Sequence, residues 1–534
     1  MEIAGDNGEI VRGIWRPYRS RRKKNQAPRS WGGVRGGPDG WNGDGDEARS
    51  GQMRMGQRRT CLLPGRRTSP QDTIRRLSCT QDEYITQSYD HWRKRGIPYV
   101  RPSFPFGNIY PLVSLKKCYG DILAQLHNSS KGPVVGYWAI NNPFLLIRSP
   151  ELIKNILVKD FNHFSERAVS SNNHDRIFND MLFSMHFHDW KILRTKLTPL
   201  FTTTKLKYVM HIFRESAQEM IDYLEEVSGD AVDCKQISSQ LTTNIFVGTG
   251  FGYKINCFKE VDNLFFISSI VKFNVFTEDF LDFYRFHFWK VIKDREESGV
   301  KYNDFIDCYI QLKNEGDLGD GITLDGDKLM AQAIQFFMAG FETTSSLIAF
   351  TLYELAMNEE IQDKLRFEVV DALKKEADGN FGYENIANLS YLSKVMSEAA
   401  RKYPTLPFLE RICVKDYQIP ETDIVLDKGT KCQFSTLGIH YDPEYFPNPD
   451  IFDPERFSPE GIQSRPAYVY MPFGHGPHNC IGKRFGLLTA KMCIAQILIK
   501  FQIKPTESTP TKIKLHSKSF IIKPQDVFLK FVKF

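Results

Sequence analysis

The 534-residue chain contains no run of about 18 consecutive apolar residues, the length a bilayer-crossing helix needs. Its first residues also lack the short apolar core of a secretory signal. The ten cysteines include no Cys-x-x-Cys pair. Scattered like Cys118, Cys257, Cys308 and Cys432, they read as reduced thiols facing a cytosol-like compartment, which excludes a disulfide framework. Neither sign of charge dominates: a net charge of +6 over this length gives no argument for a nucleic-acid partner. Large apolar residues are nearly missing from residues 1–82, which are rich in Gly, Arg, Ser and Asp and show no helical or strand period. A solvated tail without order is expected there. Arg21-Arg-Lys-Lys24 and Arg35-Gly-Gly37 match nuclear-signal and RNA-binding types, but a solvated basic tail is the simpler reading. Asp44-Gly-Asp46 fails as a calcium loop, because Arg49 and Met55 stand where that loop needs Gly and Glu.

Order is expected from about residue 83, so that 83–534 forms the folded body. Forty phenylalanines suit a large aromatic interior. The proline-spaced stretch Gly96–Asn108 reads as a stiff extended lead-in. A helix follows over Ser114–His127, then a hairpin from Pro133–Ile140 and Pro143–Arg148, then a helix entered through Pro150 at its first position. Further helices are expected at His211–Val227, Ile237–Phe246, Lys328–Glu354, Tyr391–Tyr403 and Lys483–Ile499, with β-like runs such as Ser519–Lys523 in the tail. The chain is therefore mainly α with small β-sheets. Leu264–Phe276 is strongly apolar but too short to span a bilayer; core packing and a membrane-dipping surface patch are both open.

Several stretches carry chemistry. In Phe473-Gly-His-Gly-Pro-His-Asn-Cys480-Ile-Gly482 one cysteine ends a glycine-rich turn just before a helix. Free N–H groups and the helix dipole there favour a thiolate, so a lowered pKa is expected, and the site suits a soft metal or haem iron. Ala339-Gly-Phe-Glu-Thr-Thr344 puts small and polar residues into an otherwise buried helix; Thr343 can bond back to the Ala339 carbonyl and bend the axis. Glu398 and Arg401 are three apart, and so are neighbours on one helix face, as are Trp190 and Arg194 four apart. Each of these pairs alone has a bland reading, a surface ion pair in one case and a buried Trp beside a surface Arg in the other.

Together these stretches resemble the cytochrome P450 superfamily, of the microsomal insect xenobiotic-metabolising type. The loop fits F-x-x-G-x-x-x-C-x-G at Phe473, Gly476, Cys480 and Gly482. Ala339–Thr344 resembles the oxygen-activation motif and Glu398-Ala-Ala-Arg401 the E-x-x-R motif. Pro454-Glu-Arg-Phe457 is similar to the meander arginine segment, and Trp190-Lys-Ile-Leu-Arg194 to W-x-x-x-R. The resemblance covers roughly residues 84–534 and implies the cytochrome P450 fold, a helical haem-binding domain plus a smaller β-rich part.

It also implies a haem-thiolate monooxygenase that inserts one oxygen atom of O2 into a lipophilic substrate. Haem b would be the cofactor, with NADPH-derived electrons arriving through NADPH-cytochrome P450 reductase, and cytochrome b5 as a second candidate partner. Cys480 would be the axial iron ligand, beside Phe473. Thr343 and Glu342 would organise proton delivery on the distal side. Trp190, Arg194, Arg167, Arg411 and His478 would meet the haem propionates, and Glu398, Arg401 and Arg456 would form a buried charge network. Lys483, Arg484 and Lys191 offer positive charge for a reductase. The implied place is the cytosolic face of the endoplasmic reticulum membrane, with contact to the membrane surface and no nucleic acid. The chain departs from the family in three ways. His478 stands where an arginine is usual, with looser, pH-sensitive haem retention expected. Residues 1–82 replace an apolar anchor, and 256–303 is short for the region that roofs the substrate site. A catalytically impaired haem-binding protein is the alternative. A non-haem metal site using Cys480 with His475, His478, His186 or His188 leaves Ala339–Thr344 and E-x-x-R unexplained.

Overall fold

The structure, a computed structural model, describes residues 86–168, 176–260, 278–376, 379–517 and 519–534. The expectations for residues 1–82 and for Leu264–Phe276 lie outside these, as does part of 256–303.

Helix α1 (Tyr119–Asn128) and the hairpin strands β1 (Val134–Ala139) and β2 (Asn142–Ile147) begin the body. The helix starts five residues later than the apolar spacing suggested. Ser149 caps the next helix by accepting from the Leu152 N–H, with Pro150 at its first turn as expected. That helix is α only as far as Lys154 and becomes a π-turn over Asn155–Lys159. Helices α2 (Phe187–Leu197), α3 (Met210–Glu226) and α4 (Cys234–Gly250) follow.

Helix α5 (Gly326–Met357) is the axis of the body. From Leu329 to Phe337 every side chain is buried, so the helix must be covered on all sides, and α4 and α7 (Lys483–Lys500) cover it. As expected, a single α-helix runs through Ala339–Ser346. The hydroxyls there bond back along the helix, Thr343 Oγ1 to Ala339 O at 2.6 Å and Ser345 Oγ to Phe341 O at 2.8 Å. Backbone pairing therefore does not need to break. Helix α6 (Ser390–Lys402) packs on α5 and carries the Glu398–Arg401 pair.

Strands β3 (Phe408–Ile412) and β4 (Lys431–Ser435) complete a mixed four-stranded sheet of order β1-β2-β4-β3, with β2 and β4 parallel and the outer pairs antiparallel. Strands β5 (Phe501–Pro505) and β6 (Phe528–Lys533) join Val232–Asp233 in a second, antiparallel sheet. Ser519–Lys523, expected as β-like, is instead the turn between the short paired strands Lys514–Leu515 and Pro524–Gln525. The architecture is thus mainly α; the four-stranded sheet contributes to a separate apolar cluster, while β5 and β6 pack into the helical core through Phe501, Ile503, Leu529 and Phe531.

Candidate haem site

The cysteine loop is held by its own backbone. Cys480 N–H donates to Phe473 O at 2.8 Å and Asn479 N–H to Gly476 O at 3.0 Å. Gly474 and Gly476 sit at φ of +69° and +71°, and a Cβ on Gly476 would run into the Leu157 carbonyl oxygen. Glycine is needed there for conformation and for space. The turn delivers Cys480 to the start of α7, whose N-cap is Gly482.

Of the eight cysteines among the described residues, Cys480 is exposed and the other seven are buried. The lowered thiol pKa expected from the sequence is not found. Burial of the sulfur by surrounding protein raises it, outweighing the Gly482 N–H, Arg194 and Lys483, which pull it down. The helix terminus acts in the expected direction and is outcompeted by desolvation.

Across from the loop, α5 brings Thr343 to a small recess of about 30 Å³ with Thr344, Leu347, Pro472 and Phe473. Glu342, one residue earlier, does not line it. Its carboxylate pairs with Lys235 Nζ at 3.3 Å and Lys523 Nζ at 3.4 Å. The structure therefore unites Thr343 with the cysteine loop and turns Glu342 toward two lysines that no sequence motif marked.

Three guanidinium groups converge beside the loop. Arg167 is held below its ordinary pKa, at about 9, by burial and by Arg411 and Arg194. Burial brings Arg411 to about 10 and also lowers Arg194. Arg194 donates to Asn479 Oδ1 at 2.9 Å and Arg167 to Phe183 O at 2.8 Å. The buried Trp190 Nε1–H and Arg411 Nε–H have no partner among the described residues. Buried donors without acceptors and guanidiniums that depress one another call for an anion. The donor set fits the carboxylate edge of a flat group such as haem, which these side chains and Cys480 would hold.

His478 sits beside the same guanidiniums. It is 8% exposed, and its Nε2–H donates to the Ser165 carbonyl at 2.8 Å. Burial, then Arg167 and Arg411, drive its pKa down to about 2. Ser165, 313 residues away in sequence, left no signal that could have foretold this.

Behind the loop lies the charge network. Glu398 and Arg401 side chains are both 0% exposed, joined by Nε–Oε2 at 2.7 Å and Nη2–Oε1 at 2.8 Å. Arg401 also donates to the carbonyls of His440 at 2.9 Å and Pro449 at 2.8 Å. Arg456 Nε lies 3.4 Å from Glu398 Oε1, and the Asp453 N–H donates to the same oxygen at 3.0 Å. Burial raises the Glu398 carboxyl pKa despite Arg401. The proline-rich segment 440–457 is thereby tied to α6. His440, a residue the motifs did not single out, extends the tie: it donates through Nδ1 to Arg401 O and accepts the Met471 N–H through Nε2.

The chain matches the family described as Cytochrome P450 over residues 98–298 and 262–531. It is 36% identical over 482 residues to Cytochrome P450 6k1 of Blattella germanica, covering 82% of this chain and 92% of that protein. It is 33% identical to Probable cytochrome P450 6a14 of Drosophila melanogaster over 486 residues, with 83% and 95% covered. To Cytochrome P450 6A1 of Musca domestica it is 33% identical over 480 residues, with 83% and 93% covered.

Proposed function

The chain belongs to the cytochrome P450 family and is a haem-thiolate monooxygenase, and on that premise we propose that Cys480 is its axial thiolate, in a catalytic unit spanning residues 83–534. The cofactor is haem b, with electrons from NADPH through a reductase, and substrates are lipophilic. When bound, the group supplies oxygen activation, and its thiolate ligand favours O–O cleavage.

The remaining roles belong to the chain's own side chains. The exposed residue Cys480, with Arg194 and Lys483 beside its thiol, supports the ligand assignment. Trp190, Arg194, Arg167 and Arg411 hold the carboxylate edge, which is supported by the unpartnered Trp190 Nε1–H and Arg411 Nε–H and by the mutual repulsion of the guanidiniums. Thr343 holds or passes a proton at its Oγ1 on the opposite side. Geometry comes first in such delivery, and the recess shared with Phe473 supports it. Glu342 acts one step removed, its charge set by Lys235 and Lys523.

The exposed Lys191, Lys483 and Arg484 form the reductase-facing charge, and docking there weakens with salt. Cytochrome b5 shares that face. Attachment to the cytosolic side of the endoplasmic reticulum membrane rests on the microsomal character of the family; no helix among the described residues is long and apolar enough to cross a membrane. Xenobiotic substrates of insect-family type are the proposed class.

The observation that carries the site assignment is Cys480, the one exposed cysteine among the described residues, set beside buried donors that lack acceptors. A reduced-plus-CO difference spectrum tests it. The wild type gives the red-shifted Soret band of thiolate ligation and Cys480→Ser does not; a Cys480→Ser protein with the same band would overturn the assignment. Substrate-dependent NADPH consumption with a reductase then tests turnover.

A further inference from the structure

Between the short helix Arg176–Asp180 and α2 the chain makes a turn with neither helix nor sheet to pair its backbone. Met181 and Leu182 are buried in it, so their backbone groups need partners other than water. Two side chains of α5 supply partners. Gln332 Oε1 accepts the Leu182 N–H at 3.1 Å, and its Nε2 donates to the carbonyls of Asp180 at 2.6 Å and Lys328 at 3.0 Å. Gln335 Oε1 accepts the Phe183 N–H at 2.8 Å. A backbone N–H can only donate, so each amide must present its oxygen to the turn. Gln332 is fully buried and Gln335 nearly so, among the apolar Ala331, Ala333, Ile334 and Phe336. An unpaired amide there would be costly, so the pairing with the turn accounts for both glutamines.

The consequence falls on Phe183. Its N–H is held by Gln335, its carbonyl accepts from Arg167 Nη1 at 2.8 Å, and the Arg167 guanidinium lies 4.6 Å over its ring. Fixed this firmly, the residue is still 43% exposed, unlike a core phenylalanine. The register of α5 says where it stands. Gln335, Ala339 and Thr343 are four residues apart and share one face, on which Ala339 is exposed and Thr343 half-buried. Phe183 is therefore anchored about one turn of α5 from Ala339 and about two from Thr343.

We propose that Gln332 and Gln335 are positioning residues for the substrate: they pin the 180–183 turn to α5 and hold the Phe183 ring as a wall for the far end of a lipophilic molecule whose reacting end lies at Thr343. This rests on the haem-site reading above. The glutamines act through Phe183 and not by touching the substrate. A wall already in place needs no ordering when a ligand arrives, so the pair strengthens long ligands and leaves short ones unaffected.

The test is azole binding to the full-length ferric holoprotein, followed by the Soret shift, with 1-methylimidazole as the short probe and 1-dodecylimidazole as the long one. Gln335→Leu removes the acceptor at similar volume; Gln335→Glu keeps an acceptor oxygen. In Gln335→Leu the long probe is expected to bind about tenfold more weakly, the scale of one buried hydrogen bond, and the short probe within about threefold of wild type. Gln335→Glu should bring the long probe back to within about threefold. Without ligand, amide hydrogen exchange at Leu182 and Phe183 should be about tenfold faster in Gln335→Leu, and Gln332→Leu should repeat both effects. In a Phe183→Ala background Gln335→Leu should add nothing, because its effect runs through that ring. Equal weakening of both probes, a long probe that binds unchanged or tighter, unchanged exchange, no recovery in Gln335→Glu, or full additivity with Phe183→Ala would each overturn the proposal. A wild type with no Soret shift on adding 1-methylimidazole would instead strike the haem-site reading.

Discussion

Arg401→Ala removes the centre of the network behind the haem site, and its consequence can be worked from the geometry. The guanidinium makes two bonds to Glu398 and one each to the carbonyls of His440 and Pro449, with both charged side chains at 0% exposure. Breaking a buried pair by removing one partner costs about 3–5 kcal/mol, because the other charge is left without compensation. Each carbonyl left without a donor adds about 1–3 kcal/mol where water cannot reach it. Arg456, at 3.4 Å from Glu398, recovers part of the charge term but not the carbonyl bonds. The net loss of roughly 5 kcal/mol is a large share of the ~5–15 kcal/mol that holds a protein folded. Arg401→Ala should therefore be recovered without haem, or not at all. Arg401→Lys should do little better, since an ammonium cannot make the forked contact and span both carbonyls. The assay is haem per polypeptide in purified protein, paired with urea unfolding. Normal haem content and an unchanged unfolding midpoint in Arg401→Ala would refute the reasoning.

Three other perturbations follow from the same contacts. Thr343→Ala gives up a back-bond to Ala339 O that contributes little to stability, on the order of 1 kcal/mol; it should keep haem while raising peroxide release per NADPH, and unchanged coupling would remove Thr343 from proton delivery. Gly476→Ala should lose haem loading and lower the melting temperature, because it faces both a positive φ and the Leu157 carbonyl; wild-type loading would show that the loop can shift. His440 is fully buried with its pKa pushed down to about 3 by burial and Arg401, below an ordinary value near 6.5. The unfolded chain therefore takes up a proton first as pH falls, and stability is full above pH ~6.5 and drains below it, by about 2 kcal/mol at pH 5. Urea midpoints from pH 7 to 5 should show this slope and lose part of it in His440→Asn; an unchanged slope would exclude His440 as its source.

The sequence by itself determined the family and most of the element types, and it named the residues proposed for the chemistry. The reasons are local: periodicity writes helices and hairpins, glycine at fixed offsets writes the cysteine turn, and three- and four-residue spacings place Glu398 with Arg401 and Trp190 with Arg194. Even so, local rules misplaced some features. The apolar run Ser519–Lys523 became a turn because pairing partners, not propensity, decide short strands. Only the tertiary structure decided the electrostatics. Desolvation reversed the expected fall in the Cys480 pKa. Lys235 and Lys523, far apart in the chain, drew Glu342 away from Thr343. The Ser165 carbonyl, brought in from 313 residues away, became the partner of His478 Nε2. Such effects depend on how much water is excluded and on which distant dipole arrives. Spacing along a chain does not encode either quantity; packing does.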